Sequence, residues 1–415
     1  MVENAYNQNK SSSPPVGDLG GSPYFIDTTL RDGEQAPGVV FSFTEKLRIA
    51  ALLDGAGVPE LEIGTPAMGE TEVEEIRNLC RMGFKFKTLS WCRANKHDIL
   101  CASRAETNGV HISFPVSEIL MKAMNKDKNW VMNQLIELLE FALPMFDYVT
   151  IGAQDASRAD IGFLKEFVKT AKSFGASRVR LADTVGILNP ITTFELVTAI
   201  RSVEPELPLE IHAHNDLGMA TANTVAAYMA GANCLSTTIN GLGERAGNAP
   251  MEEVAMALEL SAGIKSTLCT KSFAELSAYV AQASNRIQSV SKPITGSSVL
   301  THESGIHTSC ILKDRNTYQL IPAARVGRKE DDFLIGKHSG KATLLYYLNE
   351  AHLPIDDNAC KQLLSDMKEK ADTLKRSLTK DELFALYTEI YSRKKKSPRS
   401  NCGELKNVVS EKRFS

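Results

Sequence analysis

The sequence lacks most of the features that would place it outside the globular enzymes. Its eight cysteines (Cys80, Cys92, Cys101, Cys234, Cys269, Cys310, Cys360 and Cys402) include no CxxC pair, so neither a zinc knuckle nor a disulfide framework is expected. No apolar run approaches the ~18–20 residues of a membrane span. Neither sign of charge is in excess. Lys plus Arg total 47 against 50 Asp plus Glu, a formal net charge of −3, which gives no electrostatic footprint for nucleic acid or an anionic membrane. The first 22 residues have no apolar centre of the signal-peptide kind and are expected to be a flexible tail on a cytoplasmic protein. What is present, 43% hydrophobic and 23% charged residues over 415 positions, suffices for a core of ordinary size.

Strand-length runs at 24–28, 60–63, 87–91, 110–114, 148–151, 179–182, 209–212 and 235–239 alternate with amphipathic segments at 44–56, 69–82, 130–143, 161–174, 190–203, 220–230 and 251–261. Helix-start signals support several of these: Thr44 ahead of Glu45, Pro190 after Asn189, and Pro250 ahead of a Glu pair. Eight such repeats predict an α/β fold, a (β/α)8 TIM barrel over 23–265. An open doubly wound sheet is the alternative, and the missing GxGxxG after the first strand argues against it. Residues 266–340 read as a linker and catalytic subdomain, with one long helix at 271–290, a shorter segment at 298–312 and a basic irregular stretch at 325–339. A mainly helical C-terminal region follows at 341–396, with helices at 342–350, 358–373 and 380–393, and 397–415 is expected to be a second flexible tail.

The first strand ends in Asp27-Thr28-Thr29-Leu30-Arg31-Asp32-Gly33-Glu34-Gln35, at the end of a barrel strand where such folds keep their active sites. The seventh ends in His212-Ala213-His214, and residues i and i+2 of a strand share a face, so both imidazoles can serve one metal. Buried or surface histidines account for most isolated HxH pairs. Here the first and seventh strands both flank the eighth, which brings Asp32, His212 and His214 to one wall, and the loop Gly241–Asn248 adds the amide of Asn248. Two imidazoles, a carboxylate and an amide suit a catalytic divalent ion (Mn²⁺, Mg²⁺, Co²⁺ or Zn²⁺) with room for substrate. Gly241, Gly243 and Gly247, near a barrel's usual phosphate site, either make a tight turn or let backbone amides approach a ligand.

Residues 29–35 with Lys46 downstream, together with His212-Ala213-His214-Asn215-Asp216-Leu217-Gly218, resemble the two signatures of the alpha-isopropylmalate/homocitrate synthase family. These are metal-dependent Claisen-condensing enzymes with a pyruvate carboxyltransferase-like barrel. Ala36-Pro37-Gly38, Trp91-Cys92-Arg93, residues 155–160, 301–307 and 334–340 are most similar to the nitrogen-fixation homocitrate synthases. The resemblance implies condensation of acetyl-CoA with 2-oxoglutarate to homocitrate, for the iron–molybdenum cofactor of nitrogenase, by a homodimer whose partner chain completes each site. It implies Arg31 as stabiliser of the developing alkoxide, Thr184 as the hydroxyl for the 2-oxo acid carboxylate, Gln35 within the substrate motif, and His307 with Tyr318 as the proton-transfer pair. Arg93, at the end of the third strand, is the expected fork for the distal carboxylate of 2-oxoglutarate, with Arg158 the second choice. Gln154 stands where relatives have Glu, which turns attention to His307 and Tyr318 as proton carriers. The helical reading after residue 340 makes the leucine-sensing domain of typical isopropylmalate synthases unexpected.

Overall fold

Strands β1 (Tyr24–Asp27), β2 (Glu60–Gly64), β3 (Lys87–Arg93), β4 (Gly109–Pro115), β5 (Tyr148–Gln154), β6 (Arg178–Asp183), β7 (Leu209–Ala213) and β8 (Cys234–Thr237) pair in parallel with their sequence neighbours, and β8 closes on β1. This computed structural model describes residues 22–329 and 333–396; the tail expected at 397–415 lies outside the described residues, as does the N-terminal one apart from Ser22. The expected barrel is present, and all eight strands fall where the sequence put them.

Among the described residues, ten helices belong to this part: α1 (Phe43–Gly55), α2 (Glu70–Cys80), α3 (Lys96–Arg104), α4 (Glu118–Ala123), α5 (Lys128–Ala142), α6 (Ile161–Ser173), α7 (Pro190–Arg201), α8 (Ala220–Met229), α9 (Met251–Ala262) and α10 (Phe273–Ala283). Ser42, not Thr44, caps α1, in a reciprocal capping box with Glu45. Asn189 caps α7 ahead of Pro190. The single long helix expected at 271–290 is cut after Ala283, because Asn285 takes a left-handed conformation (φ 52°) that no helix continues through. Among the described residues, no helix is long and apolar enough to cross a membrane.

Alternation along the strands builds two layers. One face of each strand is apolar and packs under the helices, as with Leu61, Ile63, Val110, Ile112, Val149, Ile151, Val179, Leu181, Leu209 and Ile211, all buried. The other face points into the barrel and carries charge. Arg178 pairs with Glu60 at 2.5 Å and with Glu210 at 2.8 Å, and Arg180 pairs with Glu210 and with Glu62 at 2.5 Å each. Arg31 Nε completes the run by donating to Glu62, and Arg31 Nη1 lies 3.2 Å from Asp32. Burial alone would raise the Glu62 carboxyl, but Arg180 and Arg31 hold it well below the ordinary carboxylate range. Six of these seven charges cancel in pairs, leaving Asp32 as the surplus anion.

The described residues divide into two compact units, 22–299 with 324–328, and 300–323 with 329 and 333–396; the expected 266–340 subdomain is shared between them. In the second unit α11 (Gly305–Ile311) is all that is helical of the expected 298–312 segment. The helices α12 (Lys341–Glu350), α13 (Asp357–Leu374) and α14 (Lys380–Lys396) match expectation and bury Leu344, Tyr347, Leu348, Leu363, Met367 and Leu383 against one another.

Candidate active site

The site starts in the backbone after β1. Residues Thr29–Gly33 form one π-helical turn, in which Gly33 N–H donates to Thr28 O at 3.1 Å. Asp27 ties the turn down by accepting from Thr29 N and Thr29 Oγ1, each at 2.9 Å, and burial pushes its carboxyl up to about 7. The turn delivers Arg31 and Asp32, both buried, to one cavity of about 240 Å³.

His212 and His214 enter the same cavity from β7, with ring centroids 4.9 Å apart and planes at 86°. Asp32, His212 and His214 each offer a ligand atom, and these atoms lie within 4.8 Å of one another. His212 Nδ1 is hydrogen-bonded to Ser236 Oγ at 2.8 Å, which orients the ring and leaves Nε2, 3.4 Å from Asp32 Oδ2, to ligate. Burial would by itself raise Asp32, yet the Arg31 guanidinium and a hydrogen bond from His212 hold it far below the carboxylate range. Burial lowers His212 and takes His214 down to about 4, so both imidazoles are neutral at physiological pH. His214 Nδ1 and Asn248 Oδ1 are buried with no hydrogen-bond partner among the described residues, while Asn248 Nδ2 donates to Asp32 Oδ2 at 2.5 Å. Orphaned buried acceptors beside an ionised carboxylate are costly unless a cation takes them up. The donor set fits a divalent ion.

Other residues named from sequence divide into those the cavity collects and those it does not. Thr184 lines it; its Oγ1 accepts from Asp155 N at 2.8 Å, which leaves the hydroxyl proton available. Gln154 and Gln35 line it too, Gln35 Oε1 accepting from Arg31 Nη1 at 3.4 Å. Arg93 does not. Its side chain is 64% exposed and forked onto Asp98 at 2.8 and 2.9 Å, so the expected distal-carboxylate residue is engaged elsewhere. Arg158 is likewise held by Asp155, at 2.8 and 2.9 Å, and lies outside the cavity lining. Lys46 is buried against Glu34, Glu72 and Glu75 at 3.0–3.3 Å, a structural role.

The glycines of the loop after β8 have a demonstrable steric reason. Gly247 has φ 91° and a Cβ there would collide with Gly241 O; a Cβ on Gly243 would sit 2.7 Å from Asn248 Nδ2. They let the loop fold tightly enough to bring Asn248 to Asp32. Gly241, Gly243 and Gly247 also line a second cavity of about 300 Å³, together with Pro37, Arg286 and Lys292. In the second unit, His307 and Tyr318 stack with centroids 3.9 Å apart and His302 meets His307 edge-on at 5.9 Å. Sequence reasoning missed Glu62, Arg180, Glu210 and His111. The signal was present as charged residues at i and i+2 of strands, Glu60/Glu62 and Arg178/Arg180.

The HMGL-like family matches residues 22–280, and the homocitrate synthase post-HMGL domain-like family matches 294–375. The chain is 42% identical over 368 residues to 2-isopropylmalate synthase 2 of Caldanaerobacter subterraneus subsp. tengcongensis, covering 88% of this chain and 95% of that one. It is also 42% identical over 364 residues to homocitrate synthase 1 of Nostoc sp., covering 88% and 96%. The crystal structure of hydroxymethylglutaryl-CoA lyase from Pseudomonas aeruginosa superposes with a TM-score of 0.57 at 19% identity, covering 63% of this chain and 92% of that one, a likeness of fold. The chain is an HMGL-like barrel protein and belongs to the isopropylmalate/homocitrate synthase family.

Proposed function

We propose that the protein is a homocitrate synthase, condensing acetyl-CoA with 2-oxoglutarate and hydrolysing the thioester to homocitrate and CoA. The observation that carries this reading is the meeting of Asp32, His212 and His214 with Arg31 in one cavity. Asp32, His212, His214 and Asn248 would hold a divalent ion, which when bound would supply Lewis-acid polarisation of the 2-oxo acid carbonyl. Arg31, fixed through Nε by Glu62, donates to the oxygen on which negative charge develops. Thr184 donates its free hydroxyl proton to the carboxylate beside the keto group. Gln154, an amide that can only donate and accept hydrogen bonds, orients the acetyl group. His307 takes the methyl proton of acetyl-CoA, with the Tyr318 hydroxyl as its proton partner, each site of a homodimer being completed by the partner chain. Gly241, Gly243 and Gly247 offer backbone to coenzyme A along the 300 Å³ cavity. Homocitrate for the nitrogenase iron–molybdenum cofactor is the physiological role that the motif resemblance supports.

A second reading, condensation with another 2-oxo acid in the manner of isopropylmalate or citramalate synthases, is favoured by the equal identity to the isopropylmalate synthase relative. The deciding assay is CoA release from acetyl-CoA with 2-oxoglutarate, 3-methyl-2-oxobutanoate or pyruvate, with and without chelator. The expected result is turnover with 2-oxoglutarate that chelation abolishes and Mn²⁺ restores. Preference for either other acid transfers the protein to the second reading, and turnover indifferent to chelator excludes both.

A further inference from the structure

A dicarboxylic 2-oxo acid brings a second carboxylate among buried side chains, where it needs a cation or strong donors. Three arginines line the cavity of the ligand triad: Arg31, Arg180 and Arg245. Arg31 stands beside the ligand triad, bonded to Glu62 and Asp32. Arg245 is committed through Nε and Nη2 to Asp216 and to Thr184 O. Arg180 remains. Its Nε and Nη2 are fixed by Glu210 and Glu62, which locks the guanidinium plane and leaves Nη1 as the nitrogen that these two carboxylates do not use. His111 of β4 lines the same cavity, with Nδ1 bonded to Thr150 Oγ1 at 2.9 Å. In the tautomer in which Nδ1 accepts the Thr150 proton, Nε2 is an unused donor. That nitrogen lies over Gly152, where a Cβ would collide with it, so the missing side chain at 152 is what makes room for the imidazole.

We propose that Arg180 Nη1 and His111 Nε2 receive the far carboxylate of a dicarboxylic 2-oxo acid, and that Arg180 is the specificity-determining residue of the site. The inference rests on the condensing-synthase reading above. Glu62 and Glu210 make such a deep cation tolerable in the empty cavity, and the substrate meets the nitrogen that they do not use.

The test measures binding to the metal-loaded enzyme by titration calorimetry, beside steady-state kinetics, for 2-oxoglutarate and for 2-oxopentanoate, which has a methyl group in place of the far carboxylate. Arg180→Lys keeps a charge between Glu62 and Glu210 but loses the planar fork. Gly152→Ala displaces His111 and leaves the ion pairs untouched. The preference for 2-oxoglutarate is expected to fall about 10- to 100-fold in Arg180→Lys, chiefly through KM, and up to about tenfold in Gly152→Ala. An unchanged preference in folded Arg180→Lys overturns the proposal. Should that variant not fold, Gly152→Ala decides: a reduced preference supports the proposal and an unchanged one overturns it. A wild type that prefers 2-oxopentanoate, or binds both alike, instead fails the homocitrate synthase reading itself.

Discussion

Inside the barrel, Glu60, Arg178, Glu210, Arg180, Glu62, Arg31 and Asp32 follow one another as alternating charges, whereas the second unit is packed from Leu344, Tyr347, Leu348, Leu363, Met367 and Leu383. An apolar core excludes water and tolerates substitutions of similar volume. A buried ion chain contributes little net stability over an apolar equivalent, because each charge has lost its hydration. What it provides is orientation. Arg31 and Arg180 each have nitrogens fixed by carboxylates, so the edges they present to the cavity are preorganised for charge that develops or arrives there. The barrel interior is thus built for the chemistry of its rim, and the second unit's core for holding helices together.

The largest expected effect comes from breaking the ion chain where one residue holds two arginines. Glu62→Ala leaves Arg31 and Arg180 without their shared carboxylate and should cost about 3–5 kcal/mol of barrel stability, read by urea denaturation. The pH dependence has a definite sign. Because the folded-state carboxyl of Glu62 is depressed below its ordinary 4.5, its contribution is complete above pH 4.5 and is lost as pH falls through the depressed value. Wild type should therefore lose stability on acidification below pH 4.5, and Glu62→Ala should lose less.

The matching cut in the second unit is Leu363→Ala, which opens a cavity in an apolar core and should cost about 2–5 kcal/mol. Denaturation of this variant should show the same loss at pH 4 and pH 7. A loss that grows or shrinks with pH there, or a pH-independent one in Glu62→Ala, would erase the contrast between the regions. The smallest effect is expected at Gln154, which lines the cavity at the end of β5 but belongs to no ion pair. Gln154→Glu should change turnover by less than about tenfold, roughly 1.4 kcal/mol. A silent wild type brought to life by that substitution would move the proton transfer from His307 and Tyr318 to position 154.

The barrel was legible because each strand carries an apolar face toward the helices, and that periodicity survives in one sequence. Asp32, His212 and His214 were legible because their spacing and strand order bring them to one wall without side-chain detail. The charged interior was not. Charges at i and i+2 of a strand ordinarily mark a solvent face, and only closure of the sheet turns that face inward and forces Glu60, Glu62, Arg178, Arg180 and Glu210 to pair. Arg93 misled for a related reason: its position at a strand end is readable, but its capture by Asp98 of the following helix is a tertiary contact. The over-long helix at 271–290 failed on a single backbone choice, the left-handed Asn285, which apolar periodicity does not register.

On the proposed function, Asp32, His212 and His214 together hold one divalent cation on which the condensation depends. Calorimetric titration of metal-stripped protein with Mn²⁺, wild type beside His214→Ala, tests it directly when CoA release is followed on the same samples. The predicted result is one equivalent per chain in wild type, with affinity in His214→Ala weakened about 100-fold or more and CoA release lost. One tightly bound equivalent and near-normal turnover in His214→Ala would contradict the metal-site assignment.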